Sequence, residues 1–175
     1  MPLPTVEQVT LQPVPLHRRP MLDALLQLYL HDFSEHAPLG TPYGEVDELG
    51  RFAYPYLDTY WQDAGRTPFV IQADGRIAGF MLVNQWSALD CPLDHAVAEF
   101  FVLRKYRLAR VGRRAALGVF QTLPGRWEVP VASYNQDAKL FWRSVARSLP
   151  VATQERDGDG RRWAGPVICF DTGRR

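Results

Sequence analysis

Lysine is nearly missing from this chain: Lys105 and Lys139 are the only two, and every other cation is Arg. With its many Ala, Gly and Pro residues, that usage points to a GC-rich bacterial genome. Cysteine is just as scarce. Cys91 and Cys169 are far apart, with no Cys-x-x-Cys or Cys/His spacing, which excludes a disulfide framework and a zinc cluster and leaves two buried thiols as the expectation. No apolar run is long enough to span a bilayer. The opening residues Met1-Pro2-Leu3-Pro4 lack the basic start, apolar run and small-residue cleavage site of a signal peptide, so a cytoplasmic protein is expected. His17, His31, His36 and His95 show no metal spacing, and neither a Walker lysine motif nor Gly-x-Ser-x-Gly occurs. Metal-dependent nuclease, kinase and serine hydrolase chemistry therefore has no support, and no metal is expected. At 175 residues, 46% hydrophobic and 22% charged, the chain 1–175 is expected to form one globular domain with a sizeable core.

One local absence is more telling. Between Phe100 and Trp127 there is no acidic residue, while Arg104, Lys105, Arg107, Arg110, Arg113, Arg114 and Arg126 all fall in that interval of a chain with net charge +1. Residues 98–103 read as an apolar strand rich in aromatic and β-branched side chains. After a cationic turn over 104–112, Val111, Ala115 and Val119, beside Gly112, Ala116 and Phe120, repeat at helical spacing to about residue 121. A strand thus feeds a helix start, where unpaired N–H groups and the helix dipole favour an anion such as pyrophosphate. The alternative is a solvated basic helix start.

Elsewhere, residues 9–14 read as a first strand and 20–31 as a helix, with Leu22, Leu25, Leu26 and Leu28 to Leu30 supplying its buried face. Ala37 to Gly44 is a loop by its Pro and Gly content. A second helical stretch is expected over 47–61, broken or kinked at Pro55 and carrying Phe52, Tyr54, Tyr56, Tyr60 and Trp61. Those aromatics form either a core stripe or an acceptor-pocket wall. Residues 69–73 and 76–84 read as strands joined by an Asp74-Gly75 turn. The stretch 127–132 reads as another strand despite Pro130, which argues for a bulge or an edge position. Ala138, Phe141, Trp142, Val145 and Leu149 mark a helix opening at Asn135, and 151–156 with 161–170 a final hairpin.

The cationic turn after its strand, followed by Asn135-Gln136-Asp137-Ala138-Lys139-Leu140-Phe141-Trp142, resembles the GNAT superfamily of acyl-CoA N-acyltransferases, in particular a bacterial branch of predicted acetyltransferases. The resemblance covers most of the chain. It implies an α+β, three-layer fold: a mixed, mostly antiparallel sheet of about six to seven strands, with a splayed fourth and fifth strand, flanked by about four helices. It also implies transfer of an acetyl group from acetyl-CoA to a primary amine by direct attack. The family signature Gln/Arg-x-x-Gly-x-Gly/Ala is matched by Arg107, Val111 and Gly112, whereas Arg110 stands in place of its first Gly. A helix-like backbone at 110 would need no glycine.

On that resemblance, cofactor contacts fall on Phe101, Val102 and Leu103, on Arg107, Leu108, Ala109, Arg110, Val111, Gly112 and Arg113, and on Asn135 and Trp142. A backbone N–H near Val102 or Leu103, freed by the splay, would polarise the thioester carbonyl. Glu99, the only carboxylate in the strand, is the candidate base, unless an ion pair or a Trp hydrogen bond gives it a structural role. Asn135 doubles as an N-cap. The family's usual acid, a tyrosine, falls at Trp142; Tyr134 or Tyr106 would substitute, or the thiolate would leave unaided. A small-molecule or peptide amine is the expected partner, with no membrane. Nucleic acid is disfavoured by the small net charge, and a homodimer is left open. The competing reading is a degenerate GNAT fold that binds acyl-CoA or a protein partner without turnover.

Overall fold

In the computed structural model, which describes residues 5–37, 39–41 and 44–173, β1 (Val9–Pro13) leads through a turn of 3-10 helix at Leu16–Arg18 into α1 (Arg19–Ser34). Pro20 sits in the first turn of α1, where its missing N–H costs nothing. Leu22, Leu25, Leu26 and Leu30 form the buried stripe, but Leu28 points to solvent. Of the expected loop over 37–44, Pro38, Pro42 and Tyr43 lie outside the described residues, as do Met1 to Pro4.

The helix expected over 47–61 is not formed. Only α2 (Thr59–Gln62) is helical; before it Val46 and Phe52 make an antiparallel bridge, and the Asp47 carboxylate accepts the N–H groups of Leu49 and Arg51. That side-chain capping offers the backbone an alternative to helix, and Gly50 at φ 72° and Pro55 complete the break. The aromatics dock one by one: Tyr60 is buried, Phe52, Tyr54 and Trp61 pack beside it, and the Trp61 indole donates to the Val14 carbonyl at 2.7 Å.

β2 (Thr67–Ala73) and β3 (Arg76–Asn84) are joined as expected, with Asp74 and Gly75 at φ 48° and 75°, the double left-handed conformation of a two-residue hairpin. β4 (His95–Val102) pairs antiparallel with β3, and a short helix, α3 (Arg104–Arg107), intervenes before α4 (Val111–Thr122). β5 (Arg126–Pro130), α5 (Gln136–Ala146), β6 (Thr153–Asp157) and β7 (Pro166–Asp171) follow. The sheet has seven strands in the order β1-β2-β3-β4-β5-β7-β6, all neighbours antiparallel except β4 and β5. α1 and α2 cover one face over Val70, Phe80, Leu82 and Phe101. α4 and α5 cover the other over Phe69, Met81, Val97, Trp127 and Ile168. Cys91 and Cys169 are free thiols and only half-buried, not fully buried as expected.

Two departures from regular pairing make the site. In β4, Leu82 faces Glu99 but Val83 faces Val97, so one extra residue, Ala98, is bulged out. Without the bulge, Val97 would share a face with Glu99 and Phe101; instead it packs among the α4 and α5 residues while Phe101 packs toward α1. The second departure is the splay. β4 and β5 pair only at His95 with Trp127 and Ala96 with Glu128, after which the strands part. Pro130 stands in the opened half of β5. The Val131 N–H bonds to the Pro166 carbonyl in β7, so alternation turns position 130 toward the gap, where no ladder donor is required.

Candidate active site

The parting strands open a channel made of three adjoining cavities. The first, about 350 Å³, lies between α1, the end of β4 and the starts of α4 and α5. The second, about 310 Å³, runs through the splay past Phe100, Pro130, Tyr134 and Asn135. The third, about 420 Å³, is walled by Tyr54, Tyr56, Tyr60, Trp86 and Trp163. Phe100, Asn135 and Trp142 are common to the first and second, and Tyr54, Ala98 and Glu99 to the second and third. Glu99 therefore stands at the inner junction of the channel.

Its carboxylate accepts the Tyr29 hydroxyl at 2.6 Å and the Tyr54 hydroxyl at 3.2 Å. Among the described residues, neither the ion pair nor the Trp hydrogen bond that sequence alone allowed is formed; two phenols hold the group. Burial pushes its carboxyl up to about 7, against the two tyrosine hydrogen bonds, which pull it down. Part of Glu99 remains open to the channel, so a proton can reach it. Burial, and next the Glu99 charge, raise the phenols of Tyr29, Tyr54 and Tyr60 well above their ordinary range. They keep their protons at neutral pH. Tyr134, just before α5, is half-exposed, stands edge-on to Phe33 at 5.9 Å, and is likewise shifted up by burial and then by Glu99. It keeps its proton at neutral pH.

At the other end of the channel, α4 starts without a side-chain cap and without an acid in its first turn. The Arg114 N–H reaches the Arg110 carbonyl, so the N–H groups of Val111, Gly112 and Arg113 precede the first intrahelical bond. The Ala109 N–H is already taken by the Tyr106 carbonyl, and Leu108 is exposed. Arg110 is not helix-like as expected: its φ of 57° and ψ of 15° are left-handed, a conformation that favours glycine. The strand-to-helix turn reverses through this residue, which is a physical reason for glycine to suit it.

The cations divide. Arg104 and Arg107 both reach Asp32 of α1, Arg104 at 2.8 Å, and Arg107 also donates from Nε to the Val102 carbonyl at 2.9 Å. Arg114 holds the carbonyls of Val6 and Glu7, and Arg126 pairs with Asp94. Lys105 lies over the Tyr106 ring. Arg110 and Arg113 are exposed and make no ion pair among the described residues. Asp32, Glu35 and Asp137 also line the first cavity, so the local charge is less one-sided than the stretch itself.

The expected oxyanion donor is corrected in one half. The Leu103 N–H bonds to the Ala78 carbonyl at 2.8 Å and is not freed. The same alternation turns the N–H groups of Phe100 and Val102 toward the splay, and Val102 there presents its carbonyl to Arg107. Close crossing of the strands is required at this point: a Cβ on Gly79 would come within 2.0 Å of the Phe101 carbonyl oxygen.

Asn135 caps α5, its side-chain oxygen accepting the Ala138 N–H at 3.0 Å, and its amide NH2 group retains two donors for the channel it lines. Trp142 is buried against Phe100, Phe120 and Phe141 and forms apolar wall. Of the expected site residues, Glu99, Tyr134, Asn135 and Trp142 line the channel, with Phe101, Val102, Arg107 and Gly112 at its first cavity, whereas the side chains of Leu103, Leu108, Ala109, Arg110, Val111 and Arg113 are not in its lining. Sequence inspection missed Tyr29, Asp32, Arg66, Trp86 and Trp163. Tyr29 had a visible signal, falling three and four residues after Leu26 and Leu25 on the buried stripe. A single phenol among leucines asks for a polar partner.

No protein-family model matches the chain, and no curated protein matches it. Solved structures do. A GNAT-family acetyltransferase from Staphylococcus aureus superimposes with a TM-score of 0.63 at 10% identity, covering 95% of this chain and 100% of the other. An acetyltransferase from Thermus thermophilus gives 0.62 at 19% identity, with 95% and 97% covered. The spermidine N-acetyltransferase of Vibrio cholerae, solved with CoA and spermine, gives 0.58 at 12% identity, with 94% and 96% covered. On these superpositions over nearly the whole of both chains, this chain has the fold of the GNAT acetyltransferases.

Proposed function

We propose that this protein is an acetyl-CoA-dependent N-acetyltransferase acting on a primary amine by direct attack. The observation that carries the proposal is the channel through the β4/β5 splay, with a carboxylate of raised pKa at its inner junction and a helix start at one mouth.

The donor fits the first cavity on this chain's own features. The α4 N–H groups from Val111 to Arg113 suit the pyrophosphate, Arg110 and Arg113 supply unpaired charge beside it, and the Asn135 amide and the Phe100, Phe141 and Trp142 rings line the path of the arm. When bound, acetyl-CoA supplies an activated acyl group on a thiolate leaving group. Glu99 receives the proton that the amine gives up as its nitrogen bonds to the acyl carbon. The N–H groups of Phe100 and Val102, turned into the splay, suit the carbonyl oxygen of the acyl group. As the C–S bond breaks, its electron pair stays with sulfur, and Tyr134, protonated and in the lining of the splay cavity, returns a proton to that thiolate. Solvent reprotonates Tyr134, and Glu99 loses its proton as product leaves.

Calorimetry with acetyl-CoA and a thiol-release assay with mixed primary amines test this together. Binding with turnover is expected. The absence of any binding heat at high protein concentration would sink the proposal. Binding without turnover would favour a non-catalytic acyl-CoA module, the reading for which Trp142, a wall residue with no hydroxyl to give, is the specific support.

A further inference from the structure

The cavity on the far side of Glu99 has a lining from which its occupant can be read. Five rings, those of Tyr54, Tyr56, Tyr60, Trp86 and Trp163, surround about 420 Å³, a volume in the range of small-molecule sites. The lining contains one carboxylate, Glu99, and one guanidinium, Arg66. Arg66 is already committed: it pairs with Asp63 at 3.2 Å and lies over the Tyr60 ring at 5.5 Å.

We infer that the acceptor is an arylalkylamine, a single primary amine joined by a short linker to an aromatic ring, with the amine at Glu99 and the ring among these five side chains. This rests on the acetyltransferase reading and goes beyond it. The amine end is fixed because Glu99 is the one acid of this cavity and also borders the splay. A polyamine would bring further ammonium groups into a lining that has no second carboxylate to pair with them, whereas a single primary amine leaves no charge over. The ring end follows from the walls. Tyr54 and Tyr56 meet edge-on at 5.8 Å, and Trp86 and Trp163 at 6.3 Å, the tilted geometries that accept another ring. Tyr56 and Trp86 are 50% and 41% exposed, so their faces hold apolar area that a bound ring would cover.

The wall is also held from behind. Glu128, buried in β5, accepts the Ser87 hydroxyl at 2.8 Å and the Ala88 N–H at 2.7 Å. Trp86 is fixed by its own N–H on Asn84 Oδ1 at 3.0 Å, and the Arg162 guanidinium stacks on its ring at 5.1 Å while donating to the Ser87 carbonyl at 2.6 Å. A buried acid that does no chemistry thus anchors one side of the ring site.

The test compares tryptamine, n-butylamine and spermidine on the full chain, by calorimetry and by thiol release from acetyl-CoA. Tryptamine is expected to bind at least about tenfold tighter than either competitor, about 1.4 kcal/mol, and to be the preferred acceptor. Trp86→Ala and, as a second and more exposed site, Tyr56→Ala should each weaken tryptamine by about tenfold and n-butylamine far less. Spermidine or n-butylamine binding as well as tryptamine, or no tryptamine binding at millimolar concentration, would overturn the inference. So would variants that weaken all three amines equally. Thiol release with spermidine alone would sink this inference and leave the acetyltransferase reading standing. Tight tryptamine binding without thiol release from any amine would sink the acetyltransferase reading and this inference with it.

Discussion

Glu99→Gln separates the two ways in which this carboxyl matters, because its burial makes a stability statement as well as a catalytic one. The side chain titrates near 4.5 when the chain is unfolded and near 7 in the folded protein. Between those values the folded state holds a proton that the unfolded state has lost, so rising pH favours unfolding. The stabilisation is complete below about pH 4.5 and gone above about pH 7. At about 1.4 kcal/mol per pH unit, the wild type forfeits on the order of 3 kcal/mol across that window. Glutamine cannot ionise; its single carbonyl oxygen replaces one of the two carboxylate oxygens that accept the Tyr29 and Tyr54 hydroxyls, and its NH2 faces the other, a change present at every pH. Urea denaturation at pH 4 and pH 8 should therefore show Glu99→Gln gaining about 3 kcal/mol on the wild type between the two, with little difference in slope outside the window. The same variant should lose roughly a hundredfold in kcat/KM. Its pH profile should also lack the limb near 7 that the wild type shows as Glu99 deprotonates. Parallel stability curves would refute the assigned burial, and a retained limb near 7 would refute the base.

Two further substitutions test the helix start. Arg110→Gly relieves a left-handed backbone that costs a side-chain-bearing residue about 1–2 kcal/mol, offset by the greater freedom of unfolded glycine. The variant should be more stable than Arg110→Ala by about 0.5 kcal/mol, with acetyl-CoA affinity within a few-fold of the wild type; tight binding appearing only in Arg110→Gly would mark the native chain as non-catalytic. Asp32→Asn releases Arg104 and Arg107 into the first cavity. Acetyl-CoA should then bind a few-fold tighter with a steeper dependence on salt, and calorimetry at two ionic strengths showing no change would place the phosphates away from those guanidiniums.

What the sequence determined by itself was whatever depends on neighbours along the chain. The Asp74-Gly75 turn, the apolar β4 running into the α4 repeat, and the Asn135 cap with the Ala138, Trp142 and Val145 stripe all express local propensity and periodicity, and all are present in the fold. Pro130 signalled an irregular strand, a bulge or an edge by its own chemistry and a splay only through the family resemblance. Glu99 stood out as a lone acid in an apolar strand. Its partners did not, because Tyr29 and Tyr54 lie 70 and 45 residues away, and nothing in the spacing says that α1 and the 47–61 segment converge on it. The same distance hid Asp32 from Arg104 and Arg107, so a stretch that reads as uniformly cationic is partly neutralised in space. The bulge at Ala98, which sends Glu99 toward α1 and Val97 to the opposite face, is a matter of register between two strands. Whether Leu103 or Val102 frees its N–H is settled by the same pairing. The missing helix over 47–61 is by contrast a local matter, since Asp47 caps the backbone N–H groups that follow it and Gly50 and Pro55 complete the break; the left-handed Arg110 belongs with the tertiary structure, where the chain turns from β4 into α4. Local sequence chooses the elements; the contacts that buried, paired or strained each group chose the chemistry.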